Sequence, residues 1–191
     1  MLQRIANSLT DKLEKAGAIA PERRAVYIYG FELIISTVSG MAAVFLIAAL
    51  GFHRPLEGII FLAATILLRI YSGGYHADTY LRCFIITSLS FAVVMILYEA
   101  LIYFEVNAWI VIGIALIAGI YIWKKIPVTH PNQPLSEKRI KECRKKGRGI
   151  LVIEMGISCI LTGLQYSCGI MIMLSILEVA VFRVIVKDKK K

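Results

Sequence analysis

Apolar runs separated by short polar connections dominate this sequence. The runs cover 26–50, 56–68, 84–104, 107–123, 150–165 and 169–186. A helix that crosses a bilayer needs about 20 apolar residues. These runs are too long for strands and do not alternate, and lipid requires every backbone polar group to be paired internally. The second run is short and reaches spanning length only with snorkelling ends such as Arg69. The pattern predicts an all-α polytopic membrane protein with six transmembrane helices.

The residues before the first run form a separate segment, 1–24. Its apolar side chains follow helical spacing with charges on the other side, and they are Leu2, Ile5, Leu9, Leu13 and Ala16. This spacing is typical of an amphipathic helix that lies on the membrane, and equally of an ordinary soluble lead-in helix. The segment lacks the apolar core of a cleavable signal peptide. We therefore expect one domain, 1–191, with two polar loops at 69–83 and 124–149.

The amino-acid composition indicates that lipid surrounds the apolar runs. The chain is 58% hydrophobic, with a mean hydropathy of +0.72, whereas soluble domains run near 45–50% apolar. The basic residues that give the net charge of +9 lie mostly in the connections between the apolar runs. This placement fits binding to anionic lipid headgroups better than binding to nucleic acid. No aromatic-basic nucleic-acid motif is present. We expect the lipid bilayer as a partner and no nucleic acid.

The distribution of Lys and Arg predicts the orientation. Five lie in 1–24, two in 69–83, nine in 124–149 and five from Arg183 onward. The intervening connections hold one in 51–55 and none in 99–107 or 165–168. Basic loops stay in the cytoplasm. Both termini and both polar loops are therefore predicted on the cytoplasmic side of the cell membrane.

The loop "RIYSGGYHADTYLRC", 69–83, holds the most reactive side chains. A cysteine thiolate is a nucleophile, and a histidine can take the thiol proton and return it to a leaving amine. On one uninterrupted helix, His76 and Cys83 would be about 10.5 Å apart. The pair Gly73-Gly74 permits a turn that shortens this distance.

A helix start after this turn would favour the thiolate. Asp78 or Thr79 could cap a helix that carries Cys83 in its early turns, and the cations of Arg69 and Arg82 add to that effect. The alternative is purely structural, with a lone histidine, a lone cysteine and arginines that anchor at the interface. One carboxylate of the apolar runs could also orient His76; the candidates are Glu32, Glu57, Glu154 and Glu178.

No metal or cofactor site is predicted. The sequence has no CxxC or HxxxH spacing. A cluster of His76, Cys83, His130 and Cys143 is conceivable on the cytoplasmic side, where the two cysteines would be reduced thiols.

The second loop is strongly basic. Ser136 could cap a short helix that ends near Gly147. Six cations of this helix could bind an acidic peptide tail: Lys138, Arg139, Lys141, Arg144, Lys145 and Lys146. The alternative is that they only fix topology and touch anionic lipid.

Arg69, Gly73, Gly74, His76, Ala77 and the following Cys83 resemble the signature of the accessory gene regulator protein B family, R-x-x-x-G-G-x-H-A and then Cys. The length, the six-run hydropathy and the "NQPL" loop are similar too. The resemblance implies a membrane cysteine endopeptidase of quorum sensing. It implies a short amphipathic propeptide with an acidic tail as substrate, with Cys83 as nucleophile and His76 as general base and acid. The product would be a cyclic thiolactone or lactone.

Two other classes of function stay open at this point. A small transporter or peptide exporter would also have six helices and buried acids, although no internal repeat or broken helix pair supports it. A non-catalytic scaffold is the third class. Small residues at four-residue spacing also allow a homodimer.

Overall fold

The computed structural model describes residues 2–72, 79–127 and 136–185, and these residues form seven α-helices. They are α1 (Leu2–Lys15), α2 (Arg24–Leu46), α3 (Pro55–Ser72), α4 (Tyr80–Tyr103), α5 (Ala108–Lys125), α6 (Glu137–Gly163) and α7 (Cys168–Ile185). The described residues contain no strand. The predicted all-α class is confirmed.

Polar side chains start three of these helices. The Thr79 hydroxyl accepts from the Arg82 N–H, the Asn107 side chain from the Trp109 N–H, and the Ser136 hydroxyl from the Arg139 N–H. Each such cap satisfies one of the backbone N–H groups that a helix start leaves unpaired. The predicted caps at Thr79 and Ser136 are confirmed.

Among the described residues, five helical segments are long and apolar enough to cross a membrane. They are Pro21–Gly51, which extends α2 at both ends, and α3, α4, α5 and α7. The short second run reaches spanning length because α3 begins at Pro55 and continues through Arg69 to Ser72. The sixth helix of the bundle, α6, is basic in its first half and apolar from 150 to 163. That α6 crosses the bilayer stays a prediction.

The centre of the bundle is α7. It packs against α3, α4, α5 and α6. Buried side chains occur along most of its length, from Gly169 and Met171 to Phe182 and Arg183. One cluster around α7 joins Phe61, Phe91, Met95 and Tyr98, and another joins Leu68, Ile122, Leu151 and Ile176. In α2, which is described throughout, Val44 is the one buried residue, so α2 lies at the periphery.

The predicted helix end near Gly147 is wrong, because α6 continues unbroken from Glu137 to Gly163. Gly147 is buried, and a Cβ there would lie 3.2 Å from the Tyr71 Cβ and 3.3 Å from the Ile126 side chain. Its glycine allows close packing of α6 on the ends of α3 and α5. It does not end the helix.

The N-terminal helix α1 is present as predicted and packs on α2. Ala6 and Thr10 form its buried face. Arg24 at the start of α2 pairs with Asp11 and Glu14 of α1, each at 2.6 Å. Ile5 of the predicted apolar stripe remains 42% exposed, so part of the stripe is open to the surroundings.

Candidate active site at the α3–α4 connection

Cys83 is the fourth residue of α4, in the first helical turn. Its backbone N–H donates to the Thr79 carbonyl oxygen over 3.0 Å, and its thiol is free and half-buried. The unpaired N–H groups at a helix start carry partial positive charge, which favours an anion in the first turn. Such a position is typical of a reactive cysteine.

The other half of the predicted pair lies outside the described residues. His76, Gly73, Gly74 and Asp78 all belong to the segment 73–78, which the structure does not describe. The distance between the His76 ring and the Cys83 sulfur therefore stays a prediction.

The segment before 73–78 is held by α7. The Arg183 guanidinium donates to the Ser72 carbonyl oxygen over 3.0 Å, and both residues are buried. Arg69, one turn earlier in α3, places its guanidinium carbon 5.5 Å from the ring centroid of Phe182. The last turn of α3 is thus fixed against the end of α7, and the α3–α4 connection leaves from a rigid base.

A buried carboxylate joins α7 to α4 near the same end. Glu178 accepts a 2.8 Å hydrogen bond from the Ser90 hydroxyl, and it interacts electrostatically with Arg69. Ser90 follows Cys83 by seven residues, so both lie on one face of α4, about 10.5 Å apart along the axis. Cys83 therefore lies on the α7 side of α4, near the end of the bundle where α3 stops.

The four candidate acids occupy different places. Glu32 accepts a 3.3 Å bond from the hydroxyl of Tyr80, the first residue of α4, and so lies with Glu178 at the Cys83 end. Glu57 bonds Tyr98 near the opposite end of α4. Glu154 is buried in α6, and neither of its carboxylate oxygens has a hydrogen-bond partner among the described residues. By position, Glu32 and Glu178 are the candidates to orient a group in the α3–α4 connection.

The six basic candidates all lie in the first half of α6. The Lys146 ammonium is 5.7 Å from the Tyr71 ring centroid, which places it beside the last turn of α3. Arg144 instead donates to the Ile126 carbonyl oxygen at the end of α5. The remaining four, all exposed, are Lys138, Arg139, Lys141 and Lys145. The structure thus brings one of the six to α3 and directs another toward α5.

Within the described ranges, no group of three His, Cys, Asp or Glu side chains could hold a metal ion. The four cysteines, all of them described, are unpaired. His76 and His130 of the conceivable four-residue cluster lie outside the described residues.

Sequence reasoning missed Arg183 and the Ser90–Glu178 bond. Arg183 was counted with the basic C-terminal tail, yet it is 7% exposed and part of α7. A charged side chain inside an apolar run is itself a signal, because burying an unpaired charge is costly. Arg183 follows Glu178 by five residues, but this spacing does not identify its partner. The partner is Ser72, which is more than 100 residues away in sequence.

Known proteins match this chain over most of its length. The family model described as Accessory gene regulator B matches residues 3–185. An AgrB-like protein of Clostridium perfringens strain SM101 is 26% identical over 174 residues, which cover 88% of this chain and 81% of that protein. AgrB-like protein 2 of C. perfringens strain 13 is 27% identical over the same shares, and an AgrB-like protein of Halalkalibacterium halodurans is 27% identical over 86% of this chain and 80% of its own. No solved structure matches the chain. Since the family model covers nearly the whole sequence, this multi-pass membrane protein belongs to the accessory gene regulator B family.

Proposed function

We propose that this protein is a membrane-embedded cysteine endopeptidase that removes the C-terminal tail of a quorum-sensing propeptide. Cys83 is the nucleophile, and His76 is its general base and then general acid. The observation that carries the proposal is the position of Cys83 in the capped first turn of α4, directly after the glycine-histidine connection. Family membership points to quorum-sensing peptide processing as the setting.

The chemistry needs no cofactor. His76 takes the thiol proton, and the Cys83 sulfur attacks the carbonyl carbon at the tail junction. The C–N bond breaks, His76 protonates the leaving amine, and the peptide remains on Cys83 as a thioester. A thiol or hydroxyl within the peptide then attacks the same carbonyl, and the carbon–sulfur bond to Cys83 breaks. His76 takes the proton of the attacking group and returns it to the Cys83 sulfur, and a thiolactone or lactone ring is closed.

The location near the bilayer suits this sequence of steps. Exchange of one thioester for another is nearly neutral in free energy, whereas formation of the first thioester from an amide must be drawn forward by loss of the tail. Water would hydrolyse the thioester and destroy the product. A half-buried thiol close to apolar helices limits the access of water and so favours the internal nucleophile.

We further propose that Lys146 and Arg139 contribute to binding of an acidic tail. Lys146 lies beside Tyr71 at the end of α3, and Arg139 is two turns earlier on the same side of α6. Exposed ion pairs are individually weak and screened by salt, so the contribution should be shared among several cations.

The proposed orientation places both termini and the α3–α4 connection in the cytoplasm, as the Lys and Arg distribution indicates. Single cysteines at 130 or 76, in a background without native cysteines, should resist an impermeant thiol reagent applied to intact cells. Rapid labelling from outside would contradict this orientation.

Intact-protein mass spectrometry after mixing with a matching propeptide tests the mechanism. We expect an adduct with the mass of the tail-free peptide on the wild type, and neither adduct nor cleavage with Cys83→Ala. The control variants Cys143→Ala, Cys159→Ala and Cys168→Ala should keep both. An adduct on another cysteine, or undiminished cleavage by Cys83→Ala, would overturn the assignment.

A further inference from the structure

A groove between the end of α5 and the basic half of α6 has no part in the proposed peptidase reaction. Its volume is about 640 Å³. The residues that line it are Trp123, Lys141, Arg144, Lys145, Arg148, Gly149, Val152 and Ile153. Four of these side chains are cationic, and none of the described lining residues is acidic.

One wall of the groove is rigid. Arg148 donates from Nε and Nη2 to the Trp123 carbonyl oxygen, over 3.3 and 3.2 Å. Its guanidinium carbon also lies 4.8 Å from the centroid of the Trp123 ring, within cation–π range. The indole and the guanidinium therefore hold each other in place, which lowers the entropic cost of binding a ligand against them.

Polarity changes along the groove in the direction of the helix axes. Lys141 and Lys145 lie on consecutive turns of α6 at the basic end. Val152 and Ile153, about two turns beyond Lys145, are 57% and 60% exposed and lie in the apolar part of α6. Trp123 is followed by Lys124 and Lys125, the aromatic-then-basic order that marks a membrane boundary.

We propose that this groove binds an anionic glycerophospholipid. The phosphate lies among Lys141, Arg144 and Lys145, and an acyl chain lies along Val152 and Ile153. An acidic peptide tail would pair with the cations but would leave the exposed side chains of Val152 and Ile153 uncovered. The groove also opens on the α5 side of α6, whereas Lys146 contacts α3 on the other side. Lipid and peptide tail thus use different cations of one helix.

Quenching of Trp123 by brominated lipids in nanodiscs tests this proposal. Trp109→Phe leaves Trp123 as the one tryptophan, since the chain has two. Brominated phosphatidylglycerol should half-quench Trp123 at a mole fraction at least about fivefold below that of brominated phosphatidylcholine, since each cation around the phosphate contributes about that factor near the surface. The preference should disappear at high salt.

A charge-matched pair of variants separates the two sets of cations. Lys141→Gln with Lys145→Gln should sharply reduce the preference for phosphatidylglycerol and raise propeptide KM only slightly. Arg139→Gln with Lys146→Gln should do the reverse. The lipid readout needs no catalysis, so it stands even if the proposed peptidase function fails.

Three outcomes would overturn the lipid site. The first is equal quenching by the two lipids in the wild type, and the second is equal loss of preference in both variant pairs. The third is quenching that an acidic peptide abolishes in phosphatidylcholine nanodiscs, which would assign the groove to the peptide tail.

Discussion

The two ends of the bundle are built on different principles. At one end, which we call the closed end, helices are joined by the short connections 52–54, 104–107 and 164–167. At the other end, which we call the open end, the α3–α4 connection leads into α4 and the second polar loop, 124–149, leads into α6. The candidate nucleophile Cys83 and the six basic candidates of α6 belong to the open end. The closed end thus joins the helices by short turns, while the open end carries the residues of the proposed site.

A charge cluster ties the closed end together. The Arg54 Nε lies 3.0 Å from a carboxylate oxygen of Glu99, and its Nη1 lies 3.7 Å from Glu57. The hydrogen bond to Glu99 raises the pKa of Arg54 above its ordinary value. Glu57 also accepts a 3.1 Å bond from the fully buried Tyr98. One arginine thus connects α3 to α4.

Two of the three turns of the closed end share a backbone motif. Glu105 and Gln165 both have left-handed conformations, with φ of 47° and 63°. In each case the residue after it donates back to a carbonyl five residues earlier, from Val106 to Leu101 and from Tyr166 to Leu161. This pattern ends a helix tightly and satisfies its last carbonyls.

The largest effect is expected at the open end. His76→Ala and Cys83→Ser should each reduce the rate of propeptide cleavage by about 10³-fold, because one loses the proton carrier and the other has a poorer nucleophile. The melting temperature in detergent should not change for Cys83→Ser, since the half-buried thiol and the hydroxyl that replaces it are close in size. Single-turnover kinetics and thermal unfolding measure the two quantities. A melting temperature that falls with activity would show that the open end is structural as well.

The next effect is on stability at the closed end. A Cβ on Gly169 would lie 2.7 Å from the backbone nitrogen of Thr162 and 2.8 Å from the Ser158 carbonyl oxygen, so Gly169→Ala forces α7 away from α6. We expect a loss of about 1–3 kcal/mol and a lower melting temperature.

Gly163→Ala is the matched control for this substitution. Gly163 lies at the same end, and a Cβ there meets nothing within 4 Å. Equal melting temperatures for the two variants would contradict the close α6–α7 contact.

A smaller effect is expected from Tyr98→Phe. It removes the hydroxyl that bonds Glu57 and leaves a buried carboxylate oxygen with one partner fewer, at a cost of about 1 kcal/mol. Cleavage should continue at the wild-type rate. Tyr103→Phe, on the same helix but 80% exposed, should change neither property. Loss of cleavage by Tyr98→Phe at a temperature where it is folded would mean that the two ends are coupled.

The smallest effect should come from Gln165→Gly. Glycine adopts positive φ without strain, so the free energy of unfolding of the variant should rise by less than about 1 kcal/mol. Differential scanning fluorimetry should show a slight rise in melting temperature, whereas Gln165→Ala should show none. A fall with glycine would mean that the glutamine side chain itself stabilises the turn.

Much of the fold follows from local signals in the sequence. The lengths of the apolar runs predicted the helices, and the small polar residues Thr79 and Ser136 predicted two helix starts, because these features act over a few neighbouring residues. Gly147 was misjudged because its role depends on Tyr71 and Ile126, which approach it only in three dimensions.

The candidate site divides in the same way. Cys83 and its helix start could be predicted from adjacent residues. The support around them could not, because Ser90 and Glu178 are 88 residues apart and Arg183 and Ser72 are 111 apart. Contacts between residues so far apart in sequence cannot be predicted from the pattern of neighbouring residues.

The continuity of α6 has a mechanical consequence. A helix of 27 residues is a stiff rod of about 40 Å, so its basic half and its apolar half must tilt together. Gly147 lies between the two halves and packs closely against Tyr71 and Ile126. A ligand that tilts the cationic half would therefore also move the half that carries Glu154.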